Sequence, residues 1–324
     1  MKMIKVLPIL LTAALLATGC SSKKVSYDVK KYKNEVTHAE FYEAYTKAMD
    51  ETVKIPSEPD QNMFDYTAKG SSRDIYKVTT KIEGKVHNEG NIQEDETLEV
   101  QYDADNVMGH VKGEAEMDYK VKMNYGESDG EAIQKTQTDF YGKETKIDDS
   151  NYKLDIVNAS AKLAYSRMNS TPSFASNLFN KAATKLGYNY LPVFDEATYN
   201  AFPEEEKANF KFYNDKNVLT VAYAVEGNDE TSNYKVEYKN SIVAQMSFKE
   251  NKFSYVIVVE NDENYEYLAN VDQFVVGEIE ETHSATSYKM TLDLSPVELE
   301  YDYSNFEEST YSYSVNSMFP SLGL

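Results

Sequence analysis

The fold is decided by residues 107–125, VMGHVKGEAEMDYKVKMNY. Val107, Gly109, Val111, Gly113, Ala115, Met117, Tyr119, Val121, Met123 and Tyr125 take every second position. The residues between them are almost all polar: His110, Lys112, Glu114, Glu116, Asp118, Lys120, Lys122 and Asn124. Strict period two puts one set on each face of a β-strand and opposes an amphipathic helix. A straight strand of this length would reach about 60 Å. A two-residue turn would reverse the parity, which is unbroken. The pattern therefore predicts either a three-residue turn near Gly113 or one long strand with glycine relieving a bend. Both give an antiparallel sheet with one buried or ligand-facing side.

Working outward, Tyr76, Val78, Thr80 and Ile82 alternate with polar residues, as do Leu98, Val100 and Tyr102. Further strands are predicted over 218–225, 234–239, 242–248, 253–259, 274–279, 288–294 and 297–303. Turns are expected at Gly227-Asn228-Asp229 and from Glu260 to Asn264. Helical signals are fewer. Thr37 and Glu40 form a capping box ahead of Phe41, Tyr42, Tyr45 and Met49. Thr171, Pro172 and Gly187 frame a second helix with Phe174, Leu178, Phe179, Ala182 and Leu186 as its stripe. One or two short helices fit 195–209, with Pro203 restarting the second, and residues 55–72 read as a loop. The fold class expected is α+β, predominantly antiparallel β: a curved sheet or half-barrel packed on an N-terminal helix and a mid-chain helical insert.

Composition narrows function by exclusion. The 324-residue chain carries 54 acidic and 33 basic residues, a net charge of −21, and this surface would repel nucleic acid. With 41% apolar residues it is too hydrophobic for a disordered acidic chain. A single cysteine excludes a disulfide framework and any cysteine-clustered metal site. His38, His87, His110 and His283 are scattered without metal-ligand spacing. No metalloprotease, nucleophile-elbow or phosphate-loop motif occurs. Asp103-Ala104-Asp105-Asn106 and Asp262-Glu263-Asn264 offer oxygen ligands but do not complete a calcium loop, and read as solvated hairpin turns. Neither catalysis, cofactor nor metal is expected.

The N-terminus points to location. Lys2 and Lys5 precede an apolar run from Val6 to Leu16, too short to span a bilayer comfortably, and then Ala17, Thr18, Gly19 and Cys20. Ala17-Thr18-Gly19-Cys20 resembles the lipobox of bacterial lipoproteins. That resemblance implies cleavage after residue 19 and a diacylglyceryl anchor on Cys20, holding the protein on the extracytoplasmic face of the cell membrane or outer membrane. Residues 20–34 read as a tether, 35–303 as the folded domain with possible halves 35–165 and 166–303, and 304–324 as a tail. A monomer is expected.

The order of long amphipathic strands, N-terminal helix and mid-chain helices resembles the lipoprotein-carrier superfamily of LolA, LolB and LppX-like proteins. The resemblance is architectural, over about 35–303, and rests on no diagnostic motif. It implies an incomplete, curved barrel with an apolar cavity for a lipid or other amphiphile. Candidate ligand-facing residues are Tyr119, Val121, Met123, Tyr125, Tyr234, Val236, Tyr238, Met246, Phe248, Phe253, Tyr255 and Ile257. Met repacks around varied ligands and Tyr adds a polar tip, but the same alternation also describes plain core. An alternative use of the 27 tyrosines is recognition of glycan or protein by an aromatic sheet face or by tail residues Tyr301, Tyr303, Tyr311 and Tyr313.

Overall fold

The computed structural model describes residues 30–52, 65–123, 129–159, 162–169, 196–249, 251–301 and 307–308. The elements, in chain order, are β1 (Glu35–Val36), α1 (His38–Thr52), β2 (Tyr66–Ile82), β3 (Lys85–Asp103), β4 (Met108–Met123), β5 (Gly130–Lys146), β6 (Tyr152–Asn158) and β7 (Leu163–Asn169). Then follow α2 (Glu196–Asn200), α3 (Glu204–Lys207), β8 (Phe210–Asp215), β9 (Val218–Glu230), β10 (Tyr234–Lys249), β11 (Lys252–Tyr267), β12 (Ile279–Asp293) and β13 (Glu307–Glu308). All the strands join one open, curved sheet in the order β1-β8-β9-β10-β11-β12-β2-β3-β4-β5-β6-β7-β13. Every pair is antiparallel except the short β13–β7 contact. The chain is thus two meanders, β2–β7 and β8–β12, joined where β12 runs beside β2 over fifteen rungs. The α+β, mainly antiparallel class expected from the sequence is the one observed.

Several long strands replace what the sequence suggested were shorter ones. β4 is continuous from Met108 to Met123, so the turn near Gly113 does not form. Gly113 pairs with Leu98 and Thr138 in mid-strand. A Cβ there would lie 3.1 Å from the Thr97 carbonyl oxygen and 3.2 Å from Leu98 Cδ1. The Gly227–Asp229 and Glu260–Asn264 stretches are not turns but interior parts of β9 and β11. Residues 234–239 and 242–248 form one strand, and β2 starts at Tyr66, inside the expected loop. Polar turn-formers misled because ladder hydrogen bonds on both sides satisfy their backbone regardless of side-chain polarity. Residues 274–278 lie in the β11–β12 connection, and 297–301 form no strand. Strands β5 to β8 were not read from the sequence. The helix expected over 171–187 lies outside the described residues.

The true turns are compact. Glu83 and Gly84 reverse β2 into β3 with φ of 50° and 74°, the left-handed pair of a two-residue hairpin. Asp103 to Asn106 turn β3 into β4 as expected, with the Asp103 carboxylate accepting from the backbone N–H and Nδ2 of Asn106.

At α1, Glu40 Oε2 accepts from the Thr37 N–H at 2.9 Å and Thr37 Oγ1 accepts from the Glu40 N–H at 3.3 Å, closing the capping box. Phe41 and Tyr42 are buried against Phe212 of β8 and Tyr199 of α2. α2 and α3 fall within 195–209 as expected, with Pro203 capping α3. Residues 30–34 dock on the sheet: the Gln245 amide exchanges hydrogen bonds with both backbone groups of Lys30 at 2.7 Å.

The core lies at one end of the strands and on one face. It includes Tyr66, Val100, Tyr102, Val111, Phe140, Ile156, Val221, Met246, Phe253, Tyr255, Ile257 and Met290. Toward the opposite end the same face becomes polar: on β11, Phe253, Tyr255, Ile257 and Val259 are buried, then Asn261, Glu263 and Tyr265 are only half-buried.

Candidate functional site

Strand register decides where the candidate residues go. Tyr119 pairs with Ile92, Ile92 with Tyr76, Tyr76 with Ser284, Ser284 with Asn261 and Asn261 with Asn240. By parity, Tyr119, Val121, Tyr234, Val236, Tyr238, Met246, Phe248, Phe253, Tyr255 and Ile257 therefore share one face of the sheet, although they come from both meanders. Met123 ends β4, and Tyr125 and Cys20 lie outside the described residues. The ten do not form one groove. Met246, Phe248, Phe253, Tyr255 and Ile257 are sealed in the core. Tyr119 and Val121 are half-buried near the far end of β4. Tyr234 alone lines the aromatic cleft described next, with Tyr238 in a neighbouring surface depression.

That cleft, of about 520 Å³, opens at the polar end of β10, β11, β12 and β2 and is roofed on one side by the β11–β12 connection. Its aromatic walls are Tyr76, Tyr234, Tyr265, Tyr267 and Phe274. Tyr234 sits opposite Tyr267 across the β10–β11 ladder and meets Tyr265 edge-on at 5.5 Å between ring centres. Phe274 stacks on Tyr267 at 4.3 Å with the rings 5° from parallel. The connection that carries Phe274 is well bonded. Val271 and Phe274 exchange backbone hydrogen bonds, the Gly277 N–H donates to the Tyr267 carbonyl, and the Val275 N–H donates to the buried Glu278 carboxylate.

Carboxylates stand among the rings. Glu280 faces Tyr265 directly across the β11–β12 ladder, and Glu263 and Asp272 also line the cleft. Burial, then the negative charge of Glu278 and Glu263, raises the Glu280 carboxyl above its ordinary range. The Tyr265 hydroxyl donates to Glu263 Oε2 at 3.0 Å. Burial and that bond hold its proton well above the usual tyrosine pKa. Burial and the charges of Glu280 and Glu278 push Tyr267 up to about 12. The cleft offers phenol hydroxyls, π faces and carboxyl oxygens, and among the described residues no Lys, Arg or His lines it.

Sequence reasoning found Tyr234 but missed Tyr265, Tyr267, Phe274 and Glu280 as its partners. A signal existed. Taking β10 and β11 as one hairpin about Asn251 places Tyr234 opposite Tyr267, but reading Glu260–Asn264 as a turn hid that pairing. In the observed strand Asp262 and Glu263 point to opposite faces, so the Asp262-Glu263-Asn264 oxygens do not converge as a calcium loop requires.

Other polar clusters lie elsewhere. His110 Nε2 is 2.8 Å from Asp139 Oδ1, and its ring stacks on Tyr141, which stacks on Tyr301. His283 Nδ1 is 2.7 Å from Asp262 Oδ1. By parity both pairs are on the face opposite the core and cleft. Among the described residues, no group of three or more His, Cys, Asp or Glu is placed to hold a metal ion, and no helix is long and apolar enough to cross a membrane.

Comparison with known proteins places the chain in no established class. No protein-family model and no curated protein matches it in sequence. Among solved structures, lipovitellin, from a structure of its lipid–protein interactions, is 9% identical with a TM-score of 0.30. The match covers 74% of this chain but 26% of lipovitellin, about a quarter of its length. The outer membrane protease OmpT of Escherichia coli is 9% identical over 71% of this chain and 96% of its own, with a TM-score of 0.21. OccK7 of Pseudomonas aeruginosa is 6% identical over 70% and 98%, with a TM-score of 0.20. Scores this low fall short of a shared fold.

Proposed function

We propose that the protein is a non-catalytic, lipid-anchored binding protein of the extracytoplasmic surface, which takes up an amphiphile at the open end of its curved sheet. The observation that carries this reading is the aromatic cleft: five rings at the otherwise polar end of the face whose other end is solid core. Each buried methylene contributes about 0.8 kcal/mol, so such walls retain a short apolar segment, while phenol and carboxylate groups meet a polar head. The anchor rests on the lipobox resemblance at Cys20. In this reading the cleft binds without reacting, and the histidine–carboxylate pairs, which lie on the opposite face, take no part in binding.

The test is direct. The full chain, transferred from its membrane into nanodiscs of an uncharged galactolipid, is extracted with organic solvent and its non-covalent lipids are analysed by mass. About one foreign amphiphile per chain is expected, falling several-fold in a Tyr234→Ala/Tyr265→Ala double variant that keeps the wild-type circular dichroism. Equal carry-over by the wild type and the double variant would sink the proposal.

A further inference from the structure

We infer that the cleft selects a ligand whose head group is an organic cation, an alkylated or primary ammonium, held against tyrosine faces and balanced by Glu280 and Glu263. This inference rests on the amphiphile reading above and specifies the chemistry of its polar end.

Three independent features converge. The first is the wall: Tyr234 and Tyr265 meet edge-on, while Tyr267 and Phe274 form a parallel stack beside them, so rings of differing orientation border the space. A cation over such faces is attracted by their quadrupoles, the more strongly as water is excluded. The second is charge. Glu263, Glu280 and Asp272 line the cleft and, among the described residues, no basic side chain does. Of the neighbouring lysines, Lys81 pairs with Glu281 and Lys235 with Glu230 on the other face of the sheet, and Lys77 belongs to that face as well. Glu280 is half-buried beside Glu278 and Glu263, and burial first, then their charge, raises its pKa. An anionic head group would add to that repulsion.

The third is the ratio of rings to oxygens. A hard divalent ion requires six to eight oxygen ligands converging at short range. Here Glu263 is already engaged by the Tyr265 hydroxyl and Glu278 by the Val275 N–H. Five aromatic rings outnumber the remaining carboxylates, an environment suited to a large, weakly hydrated organic cation. The volume, about 520 Å³, exceeds that of an ammonium head and leaves room for the first carbons of a chain.

The experiment uses the full chain in the same galactolipid nanodiscs, with empty discs as the blank. Three probes share an octyl chain: octyltrimethylammonium, octyl sulfate and octyl glucoside. Tetramethylammonium supplies the head alone. Calorimetric titration is expected to show the octyl cation binding at least tenfold more tightly than the other two octyl compounds and than tetramethylammonium. Glu280→Gln and Tyr234→Leu are each expected to cut that preference at least fivefold. Asp118→Asn, which removes the same unit of charge from the opposite face of β4, is expected to leave it unchanged. Equal binding of the three octyl compounds would overturn the cation inference and leave the amphiphile reading standing. Tetramethylammonium binding as tightly as the octyl cation would do the reverse. A preference that persists in Glu280→Gln and Tyr234→Leu would trace it to the overall acidic field and overturn the site. No binding by any probe would remove both.

Discussion

The two ends of β11 belong to one uninterrupted strand, yet they are different materials. From Phe253 to Val259 the inward residues are aromatic or aliphatic and buried to within a few per cent of complete. From Asn261 to Tyr265 they are half-buried, and the alternate residues are exposed acids and amides. The pairing with β10 and β12 continues across both parts without a bulge. Ladder hydrogen bonds therefore extend the sheet well past its core, and apolar burial, the dominant stabilising term, is concentrated at one end, with Val236 and Tyr267 the buried apolar residues of β10 and β11 at the other. The polar end is left with a local aromatic cluster in place of a core, and that cluster is also the cleft.

The sharpest way to test this division is to truncate one ring at each end of β11. Tyr255 is 1% exposed and packs against Phe253. Tyr255→Ala is expected to cost about 3–5 kcal/mol by urea denaturation, as for other buried aromatics. Tyr265→Ala, ten residues along the same face, removes a half-buried ring with cleft space beside it, and about 1 kcal/mol is expected. Similar losses at the two positions would mean that the polar end is as tightly packed as the core.

Hydrogen exchange examines the same contrast without mutation. Amides of Val256 and Val258, within the core segment, are expected to be protected about a hundredfold more than those of Asp262 and Asn264, because local opening at the polar end exposes little apolar surface. Uniform protection along β11 would show instead that the sheet opens only as a whole.

These two ends also explain what the sequence disclosed. At Phe253–Val259, and at Leu98, Val100 and Tyr102, burial of one face imposes alternation, and alternation is legible. At Glu260–Asn264 and Gly227–Asp229 nothing is buried deeply enough to write a pattern, so strand residues look like turn residues. The capping box at Thr37 and Glu40 was legible because its chemistry is local. The cleft was mostly illegible because it depends on register: Tyr76, Tyr234, Tyr265 and Phe274 come together only once β12 is set beside β2 and β11 beside β10. Tyr119 and Val121 share its face but do not line it.

The packed end is also closed by charge. Asp103 is buried, and its carboxylate accepts from Asn106 and from the N–H of Leu299 at 3.0 Å, fastening the segment after β12 across the β3–β4 turn. Burial alone would raise its pKa, but the bonds from Asn106 and Leu299 prevail and hold it below the ordinary value. A depressed carboxyl stabilises the fold above its unfolded pKa of about 3.9, and that contribution is lost as pH falls through its lower folded value. Asp103→Asn is expected to cost about 1–3 kcal/mol at pH 7, and to flatten the decline of stability with acid below about pH 4. An unchanged acid limb would show that other carboxylates govern it.

The smallest effects come from two glycines, and they separate the ends by what stands in the way. At Gly113, where the core gives out on β4, an added Cβ meets the Thr97 carbonyl oxygen at 3.1 Å and Leu98 Cδ1 at 3.2 Å. The carbonyl belongs to the β3 ladder and cannot withdraw without disturbing its own pairing, so Gly113→Ala is expected to lose about 1–2 kcal/mol. At Gly227 the overlap is worse on paper: the Cβ would lie 2.5 Å from the Tyr238 hydroxyl and 2.7 Å from Cζ. Tyr238 is half-buried and borders an open depression, so its ring can turn aside. Gly227→Ala is therefore expected to change stability by under about 0.5 kcal/mol, with alanine also restricting the unfolded chain in its favour. If Gly227→Ala proves the costlier of the two, Tyr238 is held as firmly as a core residue, and the polar end has an order that its side-chain chemistry does not reveal.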